Sequence, residues 1–326
     1  MTERLTELQR RLCNALQDGL VVCRRPFARL AEKLCTDEKT VLSETEGLKK
    51  AGVIRRIGAL IDYRALGLVS TLVGAAVRKD MLEAVASAVS GLEGVSHNYQ
   101  RQHKYNLWFT LQAESERDIE SILSGLSADF GVQFHSLPVE RIFKLDVRFD
   151  AVGETQRLSQ DLVRAPKTER VELDRTEKLI LSELQNDLKV TAEPFEFLCG
   201  QGLKRQQVLR TISGLIERGV IRRIAGVVDH RKLGYAANVL FCCKVGGERV
   251  VEAGRNLSRF GIVSHCYQRR TSEDWPYNLF AMMHGRSIGE IQRVISEFAE
   301  AEEMESYELL RTGTEFKKQP VKYRFR

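Results

Sequence analysis

The sequence predicts an α+β protein in which the same pair of domains occurs twice along the chain. Residues 52–57 read Gly-Val-Ile-Arg-Arg-Ile and recur unchanged at 219–224. Residues 95–101 read Val-Ser-His-Asn-Tyr-Gln-Arg and recur at 263–269 with one change, from Asn98 to Cys266. Solenoid repeats have periods of roughly 20–50 residues, so a repeat this distant indicates a duplicated domain pair.

Each half begins with a helical domain, because apolar residues recur there at the helical period. The predicted helices are 5–16, 27–34, 40–50, one that begins after the Asp174 cap, 195–198 and 203–217. Gly52 and Gly219 end the third helix of each set. Alternating apolar residues then predict a two-stranded wing in each half. Three helices and a wing predict winged helix-turn-helix domains over 1–66 and 174–233.

A different pattern follows each wing, with short strands and helices in the order βαββαβ. The predicted elements of the first half are 69–77, 81–90, 95–100, 105–111, 116–130 and 132–137. Those of the second half are 237–245, 250–260, 262–268, 278–283, 288–301 and 306–310. This order predicts ferredoxin-like domains over 67–150 and 234–326. We expect the two to pair within the chain as a pseudo-dimer, and the sequence leaves a further homo-oligomer open.

The composition is that of a folded protein outside the membrane. The polar stretch 151–173, which contains Pro166, is predicted to be a linker. The chain has 326 residues, 43% of them hydrophobic, and no apolar run approaches the roughly 20 residues that span a bilayer. The seven cysteines form no CxxC pair, so we expect reduced thiols and a cytoplasmic location. A net charge of +6 fits a binder of nucleic acid or of a polyanionic small molecule.

The most informative residues are a polar stripe that occurs in both halves. His97, Tyr99 and Arg101 alternate along one predicted strand, and the counterparts in the second half are His265, Tyr267 and Arg269. Alternate residues of a strand share one face, where an amphipathic sheet would carry Val, Ile or Leu. The repeated stripe therefore predicts a ligand site.

The domain order resembles the Lrp/AsnC family of transcription regulators. The helix-turn-helix stretch 215–221 and the residues Asp229 and Gly234 match the pattern of that family. In those regulators, a Gly-x-Tyr-Asp type signature helps to bind small amino-acid effectors. Here the corresponding segments read Tyr-Asn-Leu at 105–107 and 277–279, so the acid is Asn in both copies. The loss of a carboxylate removes repulsion of an anionic ligand.

Val-Ser-His-x-Tyr-x-Arg followed by Tyr-Asn-Leu, twice in one chain, resembles the sirohaem decarboxylases in their fused two-subunit form. The resemblance spans nearly the whole chain. It implies removal of the C12 and C18 acetate carboxyls of sirohaem without an oxidant, which gives 12,18-didecarboxysirohaem for haem d1 or for an alternative haem pathway. The iron tetrapyrrole would be the substrate, so no separate cofactor or resident metal is expected. Other enzymes of tetrapyrrole synthesis are potential partners.

The residues suit that chemistry. Sirohaem carries eight carboxylates, and Arg binds carboxylate with a planar two-pronged donor. His97 and His265 are the candidate catalytic residues, because imidazole can deliver a proton to carbon near neutral pH. Either His could instead ligate the iron. The candidate substrate-binding residues are Arg55, Arg56, Tyr99, Arg101, Tyr105, Arg222, Arg223, Tyr267, Arg269, Arg270 and Tyr277.

Other interpretations of these residues and of the function remain open at this point. The arginine pairs could be solvated edges of the wings, and Tyr105 and Tyr277 could be packing residues. His103, His135, His230 and His284 lack a repeated partner and are predicted to be structural or superficial. The runner-up function is a tandem Lrp/AsnC-type DNA-binding regulator, and the third is a carrier that binds haem or sirohaem without turnover. The first recognition helix is acidic and the second is basic, so no specific DNA site is expected.

The two halves differ most in the loop between the second and third strands of the ferredoxin-like domain. The loop 270–276 of the second copy is four residues longer than its counterpart in the first, and it includes Glu273, Asp274 and Trp275. We expect the two acids to face solvent. Trp275 could cover a macrocycle, or the loop could be a mobile surface hairpin. The insertion predicts two unequal sites, with one principal pocket per chain.

Overall fold

The computed structural model describes residues 5–153, 170–302 and 304–325, and it confirms the duplicated α+β architecture. Two helical domains accompany one closed β-barrel to which both halves of the chain contribute strands. The pseudo-dimeric arrangement within one chain is therefore confirmed. Most of the predicted linker, residues 154–169 with Pro166, lies outside the described residues.

The helices of the first helical domain begin at caps that the sequence provides. They are α1 (Glu7–Asp18), α2 (Pro26–Leu34) and α3 (Glu38–Lys50). Thr6 and Gln9 form a capping box at the start of α1, and Asp37 accepts a hydrogen bond from the backbone of Thr40 at the start of α3.

The second helical domain has α6 (Arg175–Leu184), a 3-10 turn (Glu196–Gln201) and α7 (Arg205–Glu217). Asp174 and Glu177 form the capping box of α6. The predicted second helix of this half is thus only a short 3-10 turn. The apolar faces of both helical domains merge into one core, since Leu12 and Leu16 belong to the same buried cluster as Ile180 and Ile212.

The prediction of a separate two-stranded wing in each half is wrong. Each is one continuous strand, β1 (Ile54–Ile61) or β6 (Ile221–Val228), and the two pair antiparallel with each other across the halves. Gly58 lies so close to the backbone of α6 that an added Cβ would be 2.6 Å from the Asn186 carbonyl oxygen. Gly58 therefore permits close packing in a continuous strand.

The barrel consists of eight strands, four from each half. The first half supplies β2 (Val69–Ala75), β3 (Val95–Arg101), β4 (Leu107–Ala113) and β5 (Phe134–Leu145). The second half supplies β7 (Ala237–Val245), β8 (Val263–Arg269), β9 (Leu279–Gly285) and β10 (Met304–Lys318). Around the barrel the strand order is β10-β3-β4-β2-β5-β8-β9-β7, and the sheet closes on itself.

Two long strands join the halves. β5 pairs with β2 through residues 134–138 and then with β8 of the other half through residues 139–145. β10 likewise pairs with β7 through residues 304–311 and with β3 through residues 312–318. Both strands are longer than the sequence predicts, because the added residues form hydrogen bonds with a strand that is distant along the chain.

Helices cover the outside of the barrel, so the two faces of each strand meet different surroundings. The first half contributes α4 (Leu82–Gly91) and α5 (Glu116–Phe130), and the second half contributes α8 (Val250–Arg259) and α9 (Ile288–Ala301). Phe109 on β4 and Ala281 on β9 pack under these helices, whereas Trp108 and Phe280 point into the barrel, where side chains of both halves form one cluster. The interior face is where the polar stripes lie.

No described helix is long and apolar enough to cross a bilayer. All seven cysteines are free thiols, and Cys13, Cys242, Cys243 and Cys266 are buried. The cysteines therefore contribute apolar packing rather than crosslinks.

Candidate functional site

The first stripe points into the barrel as the strand period requires. His97 pairs with Thr110 and Tyr99 pairs with Trp108, both on the interior face of β4. The ring centroids of His97 and Tyr99 lie 6.1 Å apart, and the Arg101 guanidinium lies 5.3 Å from the Tyr99 ring centroid. The three side chains thus form a continuous row.

The second stripe repeats this geometry on β8. The ring centroids of His265 and Tyr267 are 5.9 Å apart, and the Arg269 guanidinium lies 4.9 Å from the Tyr267 centroid. Tyr267 pairs with Phe280 on the interior face of β9, whereas Cys266 packs under the helices. One barrel therefore holds two equivalent rows of His, Tyr and Arg.

Both histidines lie deep in the protein and yet keep some accessible surface, which is the environment of a side chain that lines an internal space. Burial lowers the pKa of His97 to about 4, and the cations Lys318, Arg55 and Arg101 contribute to the shift. Burial lowers the pKa of His265 to about 3, with added effects of His97 and Arg222. Both imidazoles are therefore neutral near pH 7 until an anion approaches.

The two interior arginines carry buried charge. The Arg101 guanidinium donates 2.9 Å to the Leu310 carbonyl oxygen, and that of Arg269 donates 2.8 Å to the Leu137 carbonyl oxygen. The Nε of each is buried without a hydrogen-bond partner, and no carboxylate of the described residues forms an ion pair with either. Burial lowers the pKa of Arg101 to about 10. Because an unpaired buried charge is costly, these arginines favour an anionic ligand.

Of the other predicted arginines, Arg55 and Arg222 extend these rows. Arg55 lies 3.5 Å from an oxygen of Asp229 and 4.0 Å from one of Glu315. Arg222 donates 3.1 Å to the carbonyl oxygen of Leu145, at the end of the strand that pairs with the His265 strand. Both are near enough to a stripe histidine to depress its pKa.

The remaining predicted arginines are engaged elsewhere. Arg56 donates 3.0 Å to the carbonyl oxygen of Gln185, and Arg223 lies 3.2 Å from Asp146. Arg270 is exposed and lies 3.7 Å from Glu116, in a cleft of about 650 Å³ that also contains Glu120 and Glu140. These three side chains stabilise contacts between elements. Arg64 and Arg141 also line the cleft around Arg270, so its three acids are matched by three arginines.

The structure places His230 and His284 in the barrel region, which the sequence did not predict. Their ring centroids are 5.1 Å apart, and Lys318 Nζ lies 3.4 Å from His230 Nδ1. Both are buried, with His230 Nε2 and His284 Nδ1 lacking a hydrogen-bond partner. Lys318 also faces His97. No repeat signal could reveal them, because the aligned residues of the other half are Tyr63 and Gln112.

A second interior cluster corrects the expectations for the inserted loop. Trp275 is only 2% exposed, so it is neither a lid nor part of a mobile hairpin. Its ring centroid lies 5.1 Å from that of Trp108, 5.5 Å from that of Tyr105 and 4.9 Å from that of Tyr277. The two tyrosines therefore lie in an aromatic cluster beyond the arginine ends of the rows. Glu273 and Asp274 are exposed, as predicted.

His103 and His135 belong to the same aromatic cluster. The ring centroid of His103 lies 5.5 Å from that of Trp275, and that of His135 lies 5.0 Å from that of Tyr105. Both histidines therefore pack against aromatic rings, in agreement with the structural role that their lack of a repeated partner predicts.

Comparison with known proteins identifies two domain families in this chain. Residues 65–144 and 232–317 match the "AsnC-like ligand binding domain", and residues 9–55 match the "Siroheme decarboxylase NirDL-like HTH domain". The first family thus matches both halves of the barrel, and the second matches the first helical domain.

The similar proteins align along nearly the whole chain. The "Siroheme decarboxylase" of Hydrogenobacter thermophilus is 35% identical over 96% of this chain and 94% of its own length. The "Siroheme decarboxylase NirDL subunit" of Paracoccus denitrificans is 31% identical over 90% of this chain and 89% of its own length.

A solved structure agrees with the sequence relatives. The crystal structure of the siroheme decarboxylase NirDL is 32% identical, with a TM-score of 0.73 over 97% of this chain and 94% of that one. The same enzyme in complex with an iron-uroporphyrin III analogue gives a TM-score of 0.72 at the same identity. By sequence, domain content and fold over its full length, the chain belongs to the sirohaem decarboxylase family.

Proposed function

We propose that this protein removes the acetate carboxyls at C12 and C18 of sirohaem as CO₂ and releases 12,18-didecarboxysirohaem. The observation that carries the proposal is the pair of His-Tyr-Arg rows inside one barrel, each ending in a buried arginine without a carboxylate partner. The product would enter haem d1 synthesis or an alternative haem pathway, beside other enzymes of tetrapyrrole synthesis. The proposed substrate brings its own iron, so the reaction needs no further cofactor.

The arginines and histidines would contribute differently. Loss of CO₂ leaves an electron pair on a methylene carbon, and the conjugated macrocycle can delocalise it until a proton arrives. Arg101 and Arg269 would bind carboxylates that are retained, because tight binding of the scissile carboxylate stabilises the ground state and slows its loss. His97 and His265 would face the scissile groups, in an interior that excludes most water.

The test is anaerobic incubation of the purified protein with sirohaem, followed by mass measurement of the tetrapyrrole. The expected result is a mass decrease of two CO₂ without an added oxidant. A protein that binds sirohaem and returns it unchanged would be a carrier, and that outcome contradicts the proposal. Heat-inactivated protein serves as the control for spontaneous decarboxylation.

DNA binding is expected to be weak and independent of sequence. The α3 helix begins with Glu38 and carries Glu44 and Glu46, and acidic groups at a recognition helix repel phosphate. Fluorescence anisotropy with duplex DNA at physiological salt should give dissociation constants of about 1 μM or weaker. Nanomolar binding to one DNA sequence would instead support the hypothesis of a DNA-binding transcription regulator.

We propose that the two rows form unequal sites, with one principal pocket per chain. The His97 row is accompanied by His230 and Lys318. The aligned positions in the second site carry Tyr63 and Leu145, so that site has fewer groups that can become cationic.

Titration with iron-uroporphyrin III is expected to give one tight site per chain. A polycarboxylate binds more strongly where more cationic groups face it, and the two rows differ in that respect. The binding stoichiometry, followed by the absorption of the bound tetrapyrrole, is the measurement. Two equal and independent sites would contradict the asymmetry, whereas Lys318→Leu, which copies the aligned Leu145 of the other site, should weaken the tight site.

A further inference from the structure

The two stripe histidines have the same neighbour at one ring nitrogen. Ser96 Oγ lies 2.8 Å from Nδ1 of His97, and Ser264 Oγ lies 2.9 Å from Nδ1 of His265. Each serine directly precedes its histidine, and in both cases Nε2 is the nitrogen left for the interior space. The state of Nε2 therefore depends on the direction of the serine hydrogen bond, because a neutral imidazole carries its proton on only one nitrogen.

The second partner of each serine differs between the halves. Ser264 Oγ lies 3.2 Å from the backbone carbonyl oxygen of Met282, which can only accept a hydrogen bond. Ser96 Oγ lies 2.7 Å from Thr110 Oγ1, which can donate or accept. Thr110 and Met282 occupy aligned positions on β4 and β9, opposite His97 and His265. The two serine–histidine contacts thus match, and they differ in the chemistry of the serine's second partner.

A hydroxyl has one hydrogen, and this fixes the tautomer of His265. If the Ser264 hydrogen goes to the Met282 carbonyl, Nδ1–H of His265 can donate to Ser264 Oγ, and both contacts are hydrogen bonds. In the opposite tautomer, Ser264 donates to Nδ1, and two oxygens face each other without a hydrogen between them. The loss of one hydrogen bond favours the Nδ1–H form on the order of tenfold. Neutral His265 therefore presents a bare Nε2 to the interior.

The tautomer of His97 is not fixed in this way. With Nδ1 protonated, the chain of hydrogen bonds runs from His97 through Ser96 to Thr110. With Nε2 protonated, it runs in reverse, from Thr110 through Ser96 to Nδ1. Both directions satisfy both contacts, so a carboxylate near His97 can select the form that carries hydrogen on Nε2, without any change in net charge.

We propose that Ser264 and the Ser96–Thr110 pair are positioning residues that give the two histidines different roles. This inference rests on the proposed decarboxylase function. His97 binds a substrate carboxylate as a neutral N–H donor. His265 takes up a proton on Nε2 when the anionic substrate arrives, and it is the proton donor of the reaction.

The step balances in atoms and charge. The bond between the methylene carbon and the carboxylate carbon breaks, CO₂ leaves, and the electron pair remains on the methylene carbon and the macrocycle. That carbon then forms a C–H bond with the Nε2 proton of the His265 imidazolium. The acetate becomes a methyl group, His265 returns to its neutral Nδ1–H form, and one proton is consumed for each carboxyl removed.

The charged surroundings of His265 make its protonation dependent on the substrate. The groups that face it are Arg222, Asp146, Arg269, His97 and His284. Burial and the nearby cations together outweigh the one acid, so the free protein keeps His265 uncharged. The carboxylates of a bound tetrapyrrole would reverse that balance and stabilise the imidazolium.

The first test is ¹⁵N NMR of the histidine side chains in the full chain without substrate. We expect one tautomer for His265, with hydrogen on Nδ1, and a mixture for His97. Ser264→Ala should abolish the preference of His265 for the Nδ1–H tautomer. Thr110→Val should leave His97 with one predominant tautomer, because it removes the hydroxyl that can both donate to and accept from Ser96. Identical tautomer populations for both histidines, or no change at His265 in Ser264→Ala, would overturn the proposal.

The second test measures proton uptake on binding iron-uroporphyrin III, by calorimetry in buffers of different ionisation enthalpy. Near pH 7.5 we expect His265→Asn to remove close to one proton of uptake and His97→Asn to leave the uptake unchanged. The reverse pattern would overturn the assignment. Failure of this inference is distinguishable from failure of the proposed function, because tautomers and proton uptake are measured without turnover. Normal decarboxylation by a protein with equal tautomers would reject only the division of roles.

Discussion

Replacement of both His97 and His265 by Ala is expected to abolish sirohaem decarboxylation. Each general acid typically contributes about 10²- to 10⁴-fold to a proton-transfer step, and no other imidazole is aligned with the Tyr-Arg rows. The mass of sirohaem after anaerobic incubation measures the loss. His265→Ala alone is expected to lower turnover by at least about 100-fold because it removes the proton donor. His97→Ala alone is expected to lower turnover because a substrate carboxylate loses its N–H donor.

The control for this experiment is His135→Ala. His135 also lies in a barrel strand, but its ring packs against Tyr105 in the aromatic cluster. Turnover by this variant should stay within a few-fold of the unchanged protein, and circular dichroism should show that all variants are folded. Decarboxylation at a normal rate by the double variant would reject a catalytic role for the two histidines.

Trp275→Ala is expected to lower the free energy of unfolding by about 3–5 kcal/mol, the range for large aromatic side chains removed from a core. Trp275 is 2% exposed and packs edge-on against Trp108 in the aromatic cluster. Urea unfolding followed by circular dichroism measures the change. The loss should appear in the transition midpoint with or without ligand, because the ring stabilises the fold itself.

Phe197→Ala is the matched control, since Phe197 is an aromatic residue that is 44% exposed. Its free energy of unfolding should change by less than about 1 kcal/mol. If Trp275→Ala instead has an unchanged free energy of unfolding and loses only tetrapyrrole binding, the prediction is wrong. The ring would then contribute to ligand binding and not to the stability of the fold.

The sequence alone determined those elements whose pattern is local. The helices Glu116–Phe130 and Ile288–Ala301 and the strand Ala237–Val245 have the bounds that their apolar periodicity predicts. The His-Tyr-Arg rows were also predictable. Alternation along a strand places the three side chains on one face, whatever the neighbouring strand is. The same three residues recur in the second half, which indicated that they form a functional row in each half.

Only the tertiary structure decided which strands pair and what surrounds the rows. The alternation in β1 is the same for a hairpin partner as for β6 of the other half, so the wing could not be resolved from pattern. The final strands Phe134–Leu145 and Met304–Lys318 extend because a distant strand satisfies their backbone. Pairing of neighbouring strands within each half brings Thr110 and Met282 to the stripe histidines. His230 and Lys318 are far from His97 in sequence, and only the tertiary structure brings them near it. Pairing and proximity are non-local, and one-dimensional periodicity specifies which face of a strand is buried but not what it is buried against.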